Sequence, residues 1–198
     1  EGYEAYTLIL GEGITSRDQI RNQKKRETEI LMLKKNIEKA KKILGIKKTY
    51  VFDFPDNRFD SVPLLDIVKK IEEIKKKIKP NIIFTHYEKD LNIDHQITCR
   101  AVMTATRPVI QETVKESYSF EICSSTEWSY PLSFSPNVFF DISKTVDKKL
   151  KAMEQYTSEL CEYPHPRSIK AIGIKAQNWG ASIGIKFAEA FFCIRNLR

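Results

Sequence analysis

The first half of the chain alternates between short apolar runs and longer stretches in which apolar residues recur at helical spacing. Short apolar runs are typical of buried strands, and a spacing of three or four residues is typical of amphipathic helices. Strand, helix, strand, helix and strand in this order predict an α/β fold with a mainly parallel sheet built by right-handed crossovers. The predicted strands are 5–10, 49–54 and 82–86, and the predicted helices run from about Asp18 to Leu44 and from Pro63 to Pro80.

The pattern becomes looser in the second half of the chain. An amphipathic stretch predicts a third helix, two apolar runs predict further strands around a polar loop, and a fourth helix follows. No repeat, low-complexity segment or linker interrupts the sequence, so residues 1–198 are predicted to form one domain. The predicted helices are 96–107 and about Lys144 to Leu160, and the predicted strands are 117–123 and 137–142.

Composition excludes some classes of protein. Hydrophobic residues make up 41% of the 198 residues, enough for a core, but no apolar run approaches the roughly 20 residues that cross a bilayer. No signal peptide is visible. The net charge of +7 is consistent with nucleic-acid binding, but the lysines are interleaved with glutamates and no aromatic stacking platform accompanies them. We therefore expect solvated helix faces and no nucleic-acid partner.

The four cysteines are widely spaced, without the close pairs that structural zinc sites use. Each lies among apolar neighbours, which predicts free, buried thiols. Free thiols fit a protein of the reducing cytoplasm, and this is the location we expect. The cysteines are Cys99, Cys123, Cys161 and Cys193.

The most informative segment runs from His86 to His95. It follows a predicted strand and leads into a predicted helix, which is where open α/β sheets place their ligands. Imidazole and carboxylate groups suit a metal such as zinc, so metal-assisted hydrolysis is the first hypothesis. The alternatives stay open here, because Asp94 could simply cap the helix and His86 could be satisfied by backbone groups. Three protein ligands are usual at such sites, and this segment offers at most two.

Polar residues also follow the second predicted strand. Asp56 and Asn57, with Arg58 and Asp60, are expected at the same edge of the sheet as His95, where they could bind sugar hydroxyls. The alternative is a solvated turn that contains an Arg–Asp pair. Arg26 and Glu29 share a helix face, and from the sequence alone they are better explained as a surface ion pair.

In combination these residues resemble the PIG-L/LmbE-type metal-dependent N-deacetylases, most closely the bacterial branch found with sugar-nucleotide and surface-glycan pathways. In that branch Asp-Leu-Asn-x-Asp-His and Tyr-Pro-His-Pro-Arg-Ser recur. The matching features are Leu-Gly-Glu-Gly (10–13), Arg26 with Glu29, Leu44-Gly45, Phe-Pro-Asp-Asn (54–57), the strand leading to His86, Asp94-His95, and Phe-Ala-Glu-Ala-Phe (187–191).

The resemblance implies a Rossmann-like fold and hydrolysis of an N-acetyl group on an amino-sugar conjugate by metal-activated water. By position, His95 matches a metal ligand and Asp94 its supporting neighbour. His86 would stabilise the oxyanion or protonate the amine. Arg26, Asp56 and Asn57 would hold the sugar. The implied metal is Zn²⁺, with Fe²⁺ as the alternative.

The chain departs from the family pattern in two places. It has no counterpart of the N-terminal His-Pro-Asp-Asp-Glu segment, which supplies two ligands and the general base, and Asn92 stands where many relatives have a histidine. We therefore expect a sheet that lacks its first strand, in a fragment of an active enzyme. The alternatives are a naturally shortened, inactive protein and a non-catalytic sugar- or nucleotide-sugar-binding module. The exact substrate and the oligomeric state stay open, a homo-oligomer included.

Overall fold

The structure is a computed structural model that describes residues 2–17, 19–22, 24–131 and 134–197. The described elements confirm an α/β protein. None of its described helices is both long enough and apolar enough to span a membrane. The strands are β1 (Tyr6–Gly11), β2 (Lys48–Phe54), β3 (Ile82–His86), β4 (Glu116–Phe120), β5 (Val138–Asp141) and β6 (Ala188–Asn196). The helices are α1 (Glu27–Leu44), α2 (Leu64–Ile78), α3 (Ile93–Ala105), α4 (Val146–Met153) and α5 (Ile169–Ser182).

Contacts divide the chain into two compact units, and each unit combines two segments of sequence. The first unit contains Glu1–Asn57 and Asp141–Ala188, and the second contains Arg58–Phe140 and Glu189–Arg198. The expectation of one domain therefore stays a prediction.

In the first unit, β1 and β2 form a parallel pair, and α4 packs against both α1 and α5. Helix α1 buries Ile37 and Ala40 on one face. It ends at Gly45, which adopts the left-handed conformation (φ 72°) that a side chain would disfavour. The predicted C-terminal stop at Leu44-Gly45 is thus confirmed.

In the second unit, four strands form one sheet in the order β3-β4-β6-β5. Strands β3 and β4 are parallel, whereas β4 and β6 are antiparallel, so the prediction of a mainly parallel sheet is confirmed only in part. Helices α2 and α3 pack together. Four of the apolar residues of α2 that recur at helical spacing are buried, namely Ile67, Val68, Ile71 and Ile74.

Helix boundaries are where the sequence-based prediction is wrong. Helix α1 begins at Glu27, and its predicted first residue, Asp18, lies outside the described residues. Arg21 bonds Glu12 (Nε–Oε1, 2.7 Å) and the Asp53 carbonyl (3.0 Å), and these contacts hold the preceding segment in a non-helical path. Helix α4 ends at Met153 rather than Leu160, and α5 and β6 were not predicted.

Candidate functional site

The connection between β3 and α3 places the central residues of the candidate site. Strand β3 ends at His86, and Asn92 caps α3 by accepting hydrogen bonds from the backbone N–H groups of Asp94 (2.8 Å) and His95 (3.3 Å). The cap lets the helix begin at Ile93, earlier than predicted, and it fixes His95 in the first turn. Asn92 therefore serves as the helix cap that the sequence analysis had considered for Asp94.

The Asp90 carboxylate is the centre of the hydrogen-bond network, and its side chain is wholly buried. Its Oδ1 lies 2.9 Å from His95 Nδ1 and accepts from the Asn92 N–H (2.9 Å) and the Ser125 hydroxyl. Its Oδ2 accepts from Thr126 Oγ1 at 2.5 Å. Burial alone raises the pKa of Asp90, but these hydrogen bonds outweigh burial and hold the pKa at about 2. Asp90 is therefore ionised at neutral pH.

The His95 ring has one engaged nitrogen and one that is free. Nδ1 contacts Asp90, and no described residue forms a hydrogen bond with Nε2. The side chain keeps 22% of its surface exposed. An imidazole fixed at one nitrogen by a buried carboxylate, with the other nitrogen open, is the arrangement commonly found for metal-ligating histidines.

His86 stacks on His95, with ring centroids 4.3 Å apart and an angle of 14° between the planes. Its Nδ1 is buried and has no hydrogen-bond partner among the described residues. Burial first, and then the proximity of His95, lowers the pKa of His86 to about 3. A neutral imidazole can donate one hydrogen bond but holds no extra proton to release. The environment of His86 thus favours the predicted oxyanion role over protonation of the amine.

Asp94 does not bond the His95 ring as its position in the sequence had suggested. Its Oδ1 accepts a hydrogen bond from the backbone N–H of Phe59 at 3.0 Å. This contact ties α3 to the short 3-10 turn at Phe59–Ser61. The carboxylate that supports His95 is Asp90, and a catalytic role for Asp94 stays a prediction.

The three predicted sugar-binding residues belong to the first unit and are linked through one turn. Ser16 donates from its backbone N–H (3.2 Å) and its hydroxyl (2.5 Å) to Asp56 Oδ2, and its hydroxyl accepts from Asn57 Nδ2 (3.0 Å). The adjacent Arg17 lies 3.8 Å from Glu29, which accepts a hydrogen bond from Arg26 (2.6 Å). The structure thus brings Arg26, Asp56 and Asn57 into one polar network of their own unit.

A complete metal site is not present within the described ranges. No group of three or more His, Cys, Asp or Glu residues there is arranged to hold an ion. His95 fits the role of one ligand, but one ligand does not make a tetrahedral zinc site. The described residues therefore do not fit a resident metal by themselves, and Zn²⁺ and Fe²⁺ both stay predictions.

The sequence analysis did not single out Asp90, Ser125 or Thr126. Asp90 lay within the quoted segment, but Asp94 was preferred because it adjoins His95. The signal for the other two was a polar loop after a predicted strand, at Ser124–Trp128. Parallel β3 and β4 end side by side, so polar residues after β4 could have been expected near those after β3.

A family model and a sequence relative both match this chain. The PIG-L family model, described as GlcNAc-PI de-N-acetylase, matches residues 1–106. A probable N-acetyl-alpha-D-glucosaminyl L-malate deacetylase 2 of Bacillus cereus is 28% identical over 135 residues. That alignment covers 68% of this chain and spans 60% of the length of the relative.

Solved structures share the fold at low sequence identity. The N,N'-diacetylchitobiose deacetylase of Pyrococcus horikoshii has a TM-score of 0.73 and 18% identity, over 98% of this chain and 74% of the other. The 4-carboxy-2-hydroxymuconate hydratase of Pseudomonas putida has a TM-score of 0.72 and 19% identity, over 98% and 85%. Because this fold carries both a deacetylase and a hydratase, it does not by itself decide the reaction. The family match extends over more than half of the chain, and the chain belongs to the PIG-L family.

Proposed function

We propose that this chain takes part in removing an N-acetyl group from an amino-sugar conjugate, with release of acetate. The geometry of His95 carries the proposal: its Nδ1 contacts buried Asp90, and its Nε2 forms no hydrogen bond with any residue that the structure describes. The activities of the Bacillus relative, a glucosaminyl malate deacetylase, and of the Pyrococcus protein with the same fold, a diacetylchitobiose deacetylase, support the same reaction class. What these two names share is an N-acetylated amino sugar, so that is the substrate class we assign.

Each of the six predicted site residues has a part in this proposal. His95 would be one ligand of the metal, which supplies activated water when it is bound. Neutral His86 would donate a hydrogen bond to the developing oxyanion. Asp94 would hold the helix start that carries His95. In the first unit, Arg26, Asp56 and Asn57 would bind the sugar.

Release of acetate tests the proposal. The chain as printed should give none, because its described residues supply a single well-placed ligand. A version with the His-Pro-Asp-Asp-Glu strand of a PIG-L relative joined ahead of residue 1, called here the extended chain, should release acetate in the presence of zinc or iron(II). The substrates would be N-acetylglucosaminyl malate, diacetylchitobiose and a nucleotide-linked N-acetylglucosamine. A well-folded extended chain that releases no acetate from any of them would contradict the proposal.

Matched variants separate chemistry from folding. His95→Ala should abolish acetate release by the extended chain, because it removes a ligand. Lys89→Ala, at an exposed position in the same loop, should leave acetate release unchanged. Equal activity of the two variants would show that His95 is not part of the site.

A second candidate is a sugar-binding module without hydrolytic activity. It is favoured by the lack of a three-ligand cluster among the described residues. It predicts that the printed chain binds an N-acetyl amino sugar equally well with and without a chelator.

The four free thiols fit the reducing cytoplasm, which is the location we propose.

A further inference from the structure

We propose that Asp90 is a positioning residue which, together with Ser125 and Thr126, fixes His95 in the tautomer with hydrogen on Nδ1 and a lone pair on Nε2. The importance of this for catalysis rests on the proposed function. The tautomer itself does not, because it follows from contacts within the second unit.

The direction of the hydrogen bonds around Asp90 identifies the tautomer. Thr126 Oγ1 accepts from the Ile122 N–H (2.7 Å), which leaves its own hydrogen for Asp90 Oδ2. The Asn92 N–H can only donate, and it bonds Oδ1 (2.9 Å). Donors occupy both oxygens of the Asp90 carboxylate, so the carboxylate acts as the acceptor and the hydrogen between Oδ1 and His95 Nδ1 comes from the imidazole. Nε2 of a neutral ring then carries the lone pair that a metal or a proton would use.

The two hydroxyls come from a different part of the chain than the histidine. Ser125 and Thr126 follow β4, and both are buried, with 8% and 2% of their surface exposed. Pairing of β3 with β4 continues past the strand end through Tyr87 N–H to the Phe120 carbonyl (3.1 Å). The loop after β4 is therefore fixed against the loop after β3. Ser125 and Thr126 bond Asp90, and Asp90 in turn bonds His95 and fixes the position of its ring.

The stacked ring of His86 restricts the remaining freedom of His95. With the planes 14° apart at a centroid distance of 4.3 Å, the His95 ring can turn out of its plane only if His86 moves. The His95 ring is thus restrained at one face by His86 and at Nδ1 by Asp90. We infer that Nε2 points in one direction before any ligand arrives, which lowers the cost of forming the site.

Nitrogen-15 NMR of the metal-free chain at about pH 9, well above the ordinary pKa of imidazole, tests the proposal without any need for activity. In the wild type, His95 should show a protonated Nδ1 and an unprotonated Nε2. Asp90→Asn should keep this pattern, since an amide oxygen can replace Oδ1 as the acceptor. Asp90→Ala should lose it, because no acceptor is left at Nδ1.

The outcomes distinguish this proposal from the proposed function. Hydrogen on Nε2 in the wild type overturns it even if Asp90→Ala fails to fold, and an unchanged pattern in a folded Asp90→Ala also overturns it. A further outcome is that the wild type shows a protonated Nδ1 while the extended chain releases no acetate. That combination of results would support the positioning role of Asp90 and contradict the proposed deacetylase function. In the extended chain, Asp90→Ala should weaken zinc binding by about 10- to 100-fold, and Lys89→Ala should not change it.

Discussion

At the scale of single residues, the two stacked histidines lie in contrasting environments. The Nδ1 of His86 is buried and has no hydrogen-bond partner among the described residues, whereas His95 is bound to an ionised carboxylate and partly exposed. Burial lowers the pKa of His86 to about 3, so it stays neutral where most enzymes work. The candidate site thus combines a neutral hydrogen-bond donor at His86 with an imidazole at His95 that is held in one orientation.

The lowered pKa of His86 predicts how stability depends on pH. The folded-state value of about 3 is below the ordinary 6.5, so the unfolded chain takes up the proton first as the pH falls. The free energy of unfolding should therefore fall from about pH 6.5 towards pH 3, by up to about 1.4 kcal/mol per pH unit. Urea unfolding of the metal-free chain at a series of pH values measures this. His86→Gln cannot take up that proton, so an equally steep slope in this variant would contradict the assignment.

The four thiols should differ in reactivity. Burial raises the pKa of Cys99 to about 11, while Cys123, Cys161 and Cys193 are only partly buried. Since the thiolate is the nucleophile, iodoacetamide should alkylate Cys99 last in the folded protein. Mass spectrometry of peptides after short exposures gives the order. Denatured protein is the control, and there all four should react at similar rates.

At the scale of elements, periodicity predicted those that bury a regular apolar stripe. Helix α2 shows this most clearly, because three of its isoleucines and its valine recur at helical spacing and are buried. Helix α5 was missed because Gly173 and Gly180 interrupt its pattern, and β6 because its run follows these glycines without a turn signal. The start of α1 was misplaced because Arg21 bonds Glu12 and the more distant Asp53 carbonyl, contacts that local propensity does not include.

The two glycines of α5 should respond differently to the same substitution. A Cβ at Gly180 would lie 2.7 Å from the Ile185 carbonyl oxygen, whereas a Cβ at Gly173 would meet nothing within 4 Å. Gly180→Ala should lower the free energy of unfolding by about 1–3 kcal/mol. Gly173→Ala should leave it unchanged or raise it by about 0.5–1 kcal/mol, because alanine favours helix. Chemical unfolding of both variants checks this, and equal losses would contradict the close approach.

The cap of α3 should contribute measurably to stability. Asn92→Ala removes the acceptor for the N–H groups of Asp94 and His95, and it should cost about 1 kcal/mol. Asn92→Asp keeps an acceptor and should retain most of the stability. Thermal unfolding of the two variants beside the wild type tests the cap, and an Asn92→Ala variant as stable as wild type would argue against it.

At the scale of the whole molecule, the sequence indicated the family, the α/β class and most of the candidate residues. The antiparallel β6 could not be predicted, since pairing between β4 and β6 depends on contacts that are distant in sequence. Asp90 was missed for the same reason, because its importance depends on Ser125 and Thr126, which reach it only after folding. Asp90 contacts the His95 ring although Asp94 is the carboxylate that adjoins it in sequence, and a catalytic role for Asp94 stays a prediction.

The central claim is that His95, held by Asp90, presents Nε2 to the metal of a deacetylase site. Zinc titration of the extended chain, with His95→Ala and Lys89→Ala as matched variants, tests it most directly. We expect one zinc per chain in the wild type and in Lys89→Ala, and binding weakened by at least about 100-fold in a folded His95→Ala variant. Equal zinc affinity in all three proteins would show that His95 is not a ligand and would contradict the account.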